Sequence, residues 1–384
     1  MVGDTCLIEI SKCRKHEETV VTVTILLHKS TEKASKINHI HKPVTIVFTT
    51  MHSCLFLLAC ILWVSLSVNA DMFNPPTSYD PAVMEKRYQK WIEANKKKYN
   101  GVKEWEERFG IYQSNVQLID YVNSRNLSYK LTDNRFADMT NEEFKSKFLG
   151  RLIGMPSDNQ EQINTTYHDL PDAVDWREMG AVAPVLDQGL CGSCWAFAAV
   201  AAVEGFHKIK TGNLVPMSVQ ELVDCDRDSN NGCSGGFMEP AYKYITRNTG
   251  LATEKDYPYK GRDGRCDNAV KRQTVKITGY KTVPKDDEQT LQAIVALQPV
   301  SVAMDAGSFE FQLYKEGIFN GRCGTNLNHG VTIVGYGEER GDKYWVVKNS
   351  WGDRWGEGGY ARMRRDTTRK TGLCGIAMLA SYPI

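Results

Sequence analysis

The stretch Gln188-Gly189-Leu190-Cys191-Gly192-Ser193-Cys194-Trp195-Ala196-Phe197 sets a C-x-x-C pair at the head of a long apolar run, Ala196 to Ile209. Three chemistries compete for such a pair. A zinc half-site needs a second ligand pair, and no other C-x-x-C and no H-x3-5-H spacing follows residue 170. A thioredoxin-like redox couple needs a strand before it and a reducing compartment, whereas an export signal upstream points to an oxidising route. The third option is a nucleophile, Cys194, on the first turn of a helix, with Cys191 paired to another cysteine. Exposed N–H groups and the helix dipole stabilise a thiolate there. We adopt this third option.

A thiolate nucleophile needs a partner that takes its proton and later gives it to the leaving amine, a task suited to histidine. Only His207 and His329 follow residue 170. His207 lies beside Lys208 and Lys210, which describes a solvated helix face. His329 opens an alternating strand in Asn328-His329-Gly330-Val331, 135 residues after Cys194, and is the better candidate. Asn349, in Val347-Lys348-Asn349-Ser350-Trp351-Gly352, ends another strand and can accept the imidazole N–H. Trp351 can shield that bond from water, or simply pack, or both. Gln188, six residues before Cys194, can aim its amide at a developing oxyanion, with the Cys194 backbone N–H as second donor. In isolation it would be an ordinary loop residue. Glu204 falls inside the apolar run, where an unpaired charge is costly, so we expect a buried, hydrogen-bonded structural carboxylate near Glu221.

At 384 residues the chain is longer than one compact domain usually is, which suggests two or three units. Its 42% hydrophobic and 24% charged residues are ordinary globular values. The 47 Lys+Arg balance 46 Asp+Glu for a net charge of +1, leaving no electrostatic footprint for nucleic acid. The one strongly hydrophobic segment, Cys54 to Val68, is short for a membrane span. It follows Met51-His52-Ser53 and ends in Val68-Asn69-Ala70, the form of a secretory signal peptide. We therefore place the start of synthesis at Met51, with residues 1–50 an overextension without sustained periodicity and 51–70 the signal peptide. The rival is a signal anchor, giving a type II membrane protein.

Residues 71–169 have helix-like spacing from Val83 to Asn123, with Trp91, Phe109, Tyr112, Val116, Ile119 and Val122 on one face. Polar residues then mark 150–169 as a linker open to proteolysis. From Leu170 the chain reads first as helical, with Ser218-Val219-Gln220-Glu221 as a capping box. It then alternates at Val300–Met304, Val331–Val334 and Lys343–Val347, as strands do. Helices followed by strands give the class α+β, with two lobes around one cleft.

With these residues assembled, 170–384 resembles the papain-like cysteine proteases of papain/cathepsin L type. The match runs from Asp175-Trp176-Arg177 through the C-G-S-C-W string and Gly232-Cys233-Ser234-Gly235-Gly236 to Ser381-Tyr382-Pro383. The resemblance implies a helical left lobe and an antiparallel β-barrel-like right lobe, with Cys194 and His329 facing across the cleft. It implies disulfides Cys191–Cys233, Cys225–Cys266 and Cys323–Cys374, where sequence alone leaves fifteen connectivities for six cysteines. Upstream, an E-R-F-N-I-N pattern stands as Glu104, Arg108, Asn115, Ile119 and Asn123, with Tyr112 at the Phe position. Four-residue steps put Glu104 and Arg108 within ion-pair reach. A G-N-F-D pattern follows as Asn134, Phe136 and Asp138, with Thr132 in place of Gly, which puts the local turn in question. Residues 71–169 thus resemble a helical inhibitory pro-region lying along the cleft against the direction of a substrate, removed by self-cleavage in an acidic compartment.

The family's main selectivity pocket maps to Phe237, Met238, Ala303, Leu327, Gly330 and Leu379, all apolar or without a side chain, so we expect Leu, Val or Phe two positions before the cut and poor acceptance of Arg. Gly235 and Gly236 let substrate backbone approach, or form a plain turn; Asn328 and Trp351 complete the expected binding residues. Two Asn-x-Ser/Thr acceptors, Asn126 and Asn164, both fall in the removable part.

The expected activity is that of a secreted cysteine endopeptidase made as a zymogen, bound for lysosome, vacuole or the extracellular space. It calls for no cofactor and no metal. Its partners would be polypeptide substrates, its own pro-region and cystatin-type inhibitors, with no nucleic acid, no membrane span in the mature form and a monomeric state. The alternatives are a peptide ligase using the same thioester and a catalytically silent storage or binding homologue. Four of the eleven cysteines precede residue 71, and seven remain: three bridges and one free thiol, the catalyst.

Overall fold

A computed structural model of the chain describes residues 6–15, 18–27, 80–150, 170–248, 250–267 and 275–384. They fall into two compact units, Met1–Pro76 and Thr77–Ile384. In the first, β1 (Cys6–Lys15) and β2 (Glu18–Leu27) pair antiparallel, Cys6 opposite Leu27 and Lys15 opposite Glu18. This hairpin corrects the expectation that residues 1–50 lack a period. Thr19-Val20-Val21-Thr22-Val23-Thr24-Ile25 is a β-branched run, which favours a strand. The expected signal peptide 51–70, the linker from 151 to 169 and Asn164 lie outside the described residues.

The second unit begins with α1 (Pro81–Asn95) and α2 (Val102–Ser124). Asp80 caps α1 by accepting from the Ala82 N–H, and Pro81 pre-sets the first turn. Lys96, left-handed at φ 51°, ends it. The expected Val83–Asn123 stretch is therefore two helices, and its apolar face closes on itself: Tyr88 and Trp91 of α1 pack on Tyr112 of α2, with ring centroids 4.8 and 5.1 Å away. Arg108 makes a different ion pair from the one expected. It donates bidentately to Glu143 at 2.7 and 2.8 Å, while Glu104 accepts from the Asn100 N–H and so serves the start of α2. Asn115 donates to the Ala137 and Met139 carbonyls, tying α2 to the segment before α3 (Asn141–Phe148). Thr132 in the Gly position costs nothing, because its φ is not positive and the turn closes with Asn134 N–H on the Thr132 carbonyl at 2.8 Å.

Beyond residue 170, α4 (Cys194–Thr211), α5 (Val219–Cys225) and α6 (Met238–Arg247) form one lobe around Trp195, Ala199, Val203, Leu222 and Tyr242. Ser218 caps α5 through the Glu221 N–H at 2.9 Å, but the Glu221 carboxylate accepts from the Ala252 N–H instead of reaching back to Ser218, whose N–H goes to the Ala252 carbonyl. Only half of the expected capping box forms.

The other lobe is a sheet of β4 (Val174–Asp175), β5 (Tyr280–Thr282), β6 (Val300–Met304), β7 (Tyr314–Phe319), β8 (His329–Glu339), β9 (Asp342–Lys348), β10 (Tyr360–Arg364) and β11 (Ala380–Pro383), joined at one edge by β3 (Tyr129–Leu131). The order is β3-β7-β10-β9-β8-β6-β11-β5, with β4 on β8; β7 and β10 are parallel and the other pairs antiparallel. The upstream region thus adds a strand to the sheet edge, a mode whose affinity comes from main-chain hydrogen bonds. Gly317 permits it: its φ is 89°, and a Cβ there would stand 2.3 Å from the Ser128 carbonyl. Disulfides join Cys191–Cys233, Cys225–Cys266 and Cys323–Cys374, which leaves Cys194, buried, as the free cysteine among the described residues after 170.

Candidate active site

Cys194 is the first residue of α4, with Ser193 as an N-cap that makes no side-chain cap bond. Burial pushes its thiol up, opposed by backbone hydrogen bonding at Gly330, Gly150, Trp195 and Cys194 itself. Strand β8 comes close to this helix end because Gly330 has no side chain; a Cβ there would lie 3.1 Å from the Cys194 carbonyl oxygen and 3.2 Å from Trp195 Cα. That contact places His329, the preceding residue, at the lobe boundary.

His329 is fully buried. Its Nε2 lies 2.8 Å from Asn349 Oδ1, which also accepts from the Ser350 N–H. Because Oδ1 can only accept, the proton sits on Nε2 and the lone pair on Nδ1, which has no hydrogen-bond partner among the described residues. Trp351 stacks on the imidazole with centroids 4.7 Å apart and covers it. Burial pulls the His329 pKa down to about 4, opposed by the Asn349 hydrogen bond.

Gln188 is held on every side. Its N–H donates to the Ser350 carbonyl, its Oε1 accepts from Ser350 Oγ at 2.7 Å, and its carbonyl accepts from Tyr259 Oη at 2.8 Å. The Nε2 amide donates to the Cys191 carbonyl at 3.0 Å and to the Phe148 carbonyl at 3.2 Å. Ser350 and Tyr259 escaped the sequence reading. Ser350 had a signal, adjacency to Asn349, whereas Tyr259 lies on a distant loop and had none.

The upstream region crosses this site. A Cβ on Gly150 would stand 3.1 Å from Cys194 Sγ, so the backbone of Phe148 to Gly150 runs directly over the thiol. Docking is dense nearby. Asn134 Nδ2 donates to the Gln312 carbonyl at 2.9 Å, and Asn141 Nδ2 to Gln312 Oε1 at 3.0 Å. Phe136 and Phe144 meet Trp351 edge-on at 5.8 and 5.1 Å, and Arg135 pairs with Asp187.

Of the expected binding residues, Phe237, Met238, Ala303 and Gly330 are buried, while Leu327 and Leu379 are half-buried against the helical-lobe core. Ala303 stands opposite Gly330 and Met304 opposite His329 in the β6–β8 register. Gly235 has φ 112°, and a Cβ on Gly236 would collide with Asn230 Oδ1 at 2.2 Å, so both glycines are needed as such. The Cys191–Cys233 bond fixes their loop to the approach to Cys194. Asn328 turns its side chain to Asp305 and the Ala306 N–H. Asn126 is exposed at φ 51°. Glu204 accepts from the Met217 N–H at 2.9 Å; its charged neighbours are Lys348 and Glu254 across a cavity of about 150 Å³, in place of the expected Glu221.

This fold and cleft define a cysteine endopeptidase. The chain belongs to the papain family: residues 170–384 match the model of papain family cysteine proteases, and residues 88–144 match the cathepsin propeptide inhibitor domain. It is 51% identical over 318 residues to "Probable cysteine protease RD21B" of Arabidopsis thaliana, covering 80% of this chain and 68% of that one. It is 52% identical over 292 residues to the KDEL-tailed cysteine endopeptidase CEP2 of the same plant, covering 73% and 81%. The solved proform of the Amb a 11 cysteine protease, a major ragweed pollen allergen, superposes with a TM-score of 0.74 at 44% identity, covering 80% of this chain and 98% of that one. The chain is a cysteine endopeptidase that carries its own inhibitory propeptide.

Proposed function

We propose that the protein is a zymogen of the secretory pathway whose residues 170–384 hydrolyse peptide bonds through a thioester on Cys194. The observation that carries this mechanism is the His329 Nε2–Asn349 Oδ1 hydrogen bond, which leaves Nδ1 as a free base. His329 Nδ1 takes the Cys194 thiol proton and the thiolate attacks the scissile carbonyl. The oxyanion accepts from Gln188 Nε2–H and the Cys194 backbone N–H. Collapse breaks the C–N bond, and His329 gives its proton to the departing amine. Water then attacks the thioester, His329 takes its proton, and the acid product leaves with the thiol restored.

Residues 71–169 are the inhibitory segment in this reading, cut within 150–169, with residues 51–70 as the signal peptide. The Phe148 carbonyl takes up the Gln188 donor and Gly150 covers the thiol, which supports blockade of the substrate's own position. Three disulfides and the KDEL-tailed relative support an oxidising secretory route, ending in the vacuole or lysosome or outside the cell. Cystatin-type proteins would compete for the same cleft.

The apolar wall of Phe237, Met238, Ala303, Leu327 and Leu379 supports selection of Leu, Val or Phe two residues before the cut. Kinetics on dipeptide amides with Leu, Phe or Arg at that position test this: Leu and Phe should exceed Arg in kcat/KM, and equal rates for Arg would overturn the pocket assignment.

A further inference from the structure

Next to the Met304–His329 pair, on its other side from the Ala303–Gly330 pair, Asp305 and Asn328 line a recess of about 340 Å³ together with Gly307, Ser308 and Gly324, with Lys145 of the pro-region on its wall. Asp305 is built in. Its Oδ1 accepts from Asn328 Nδ2 at 2.9 Å and from the Gly307 N–H at 3.0 Å, which ties it to the residue before His329. Its Oδ2 has no hydrogen-bond partner among the described residues. Gly307 leaves the space above it open: Lys145 Cε and Asp305 Oδ1 each lie 3.2 Å from where a Cβ on Gly307 would stand.

Asp187, directly before Gln188, bridges to Trp351, which stacks on His329, and pairs with Arg135 of the pro-region. Of these two carboxylates, Asp187 is paired with a cation of the pro-region, while Lys145 lines the recess beside Asp305 without an ion pair to it. When the pro-region leaves, both carboxylates remain, Asp187 without its Arg135 partner and Asp305 with hydrogen bonds on Oδ1 alone. A Lys or Arg side chain of a bound peptide, long enough to lay its stem along the recess, supplies such a carboxylate with a partner.

Resting on the cleft's role as the substrate site, we propose that Asp305, assisted by Asp187, gives the enzyme a preference for Lys or Arg at the first two residues after the cut bond. The bracing of Gly307 and Asn328 is a structural duty of Asp305 that does not depend on substrate charge, so charge selectivity separates the two roles. The expected gain is roughly three- to fivefold per cation, as for a partly exposed ion pair, and it shrinks with added salt.

The test uses the activated enzyme and internally quenched peptides with Leu two positions before the cut and Ala, Lys or Glu at the first or second position after it. Wild type should rank Lys above Ala above Glu in kcat/KM. Asp305→Asn should bring the Lys-to-Ala ratio toward one, and Asp305→Lys should put Glu above Lys. Equal rates for Lys and Glu in wild type, or an unchanged order in Asp305→Lys, would overturn the proposal. Failure to cleave any of the peptides, the Ala series included, would count instead against the peptidase mechanism.

Discussion

Gln188 donates its side-chain amide to the Phe148 carbonyl across 3.2 Å, so one hydrogen-bond donor serves both inhibition in the proform and, in our mechanism, the oxyanion in catalysis. Ser350 fixes the amide's orientation through Oε1, which keeps the donor in place once Phe148 has left. Gln188→Ala should therefore lower kcat roughly 10²–10³-fold, the usual cost of one oxyanion donor. Steady-state kinetics on the activated variant check it; a loss below about tenfold would remove Gln188 from that role.

Asn349 fixes the imidazole tautomer and aim, and Trp351 covers their bond. Asn349→Ala should cost up to about 10²-fold in kcat with little change in KM, since the substrate makes no contact with Asn349 in this mechanism. A KM effect without a kcat effect would contradict the assignment.

Acid should loosen the closed form, and the sign follows from His329. Its pKa is about 4 when covered, against 6.5 for an ordinary histidine. The open form therefore binds more protons between those values. The closed form's advantage is complete above about pH 6.5 and falls as the pH drops toward 4. Glu143 acts in the same sense: hydrogen bonding from Arg108 lowers its pKa, so its stabilisation of the pro-region is lost as the pH falls through that lowered value. In a Cys194→Ala proform, hydrogen-exchange protection of β3 and α3 should drop from pH 7 to 4 after correction for intrinsic rates. Adding His329→Ala should flatten that drop, and an identical profile would discount His329.

Aromatic packing is one of the holds on the pro-region. Phe144 is fully buried between Phe136 and Trp351. Truncating such a ring costs about 3–5 kcal/mol. A Phe144→Ala proform at pH 7 should react with a thiol-directed peptide epoxide at Cys194 roughly tenfold faster or more than wild type. Equal rates would mean that the β3–β7 pairing alone holds the lid.

The residues nearest the chemistry were legible because each is tied to a local pattern: Cys194 to a helix start, His329 and Asn349 to the ends of alternating strands. The two lobes followed from the change of period after residue 170. Partners set by tertiary packing were not legible. Arg108 has an acceptable carboxylate four residues back, yet α3 brings Glu143 to it with better bidentate geometry. Glu221 forgoes the return half of its capping box because the Ala252 N–H is buried beside it and must be satisfied. Tyr259 carries no sequence signal at all for its contacts with Gln188 and Ser193.

Acid activation of the purified proform, followed by labelling with a thiol-reactive peptide epoxide and mass mapping, tests the central claim most directly. The label should sit on Cys194, the free cysteine among the described residues after 170, and peptidase activity should vanish in step with its incorporation. An enzyme that stays active with Cys194 fully labelled, or after Cys194→Ala, would contradict the account.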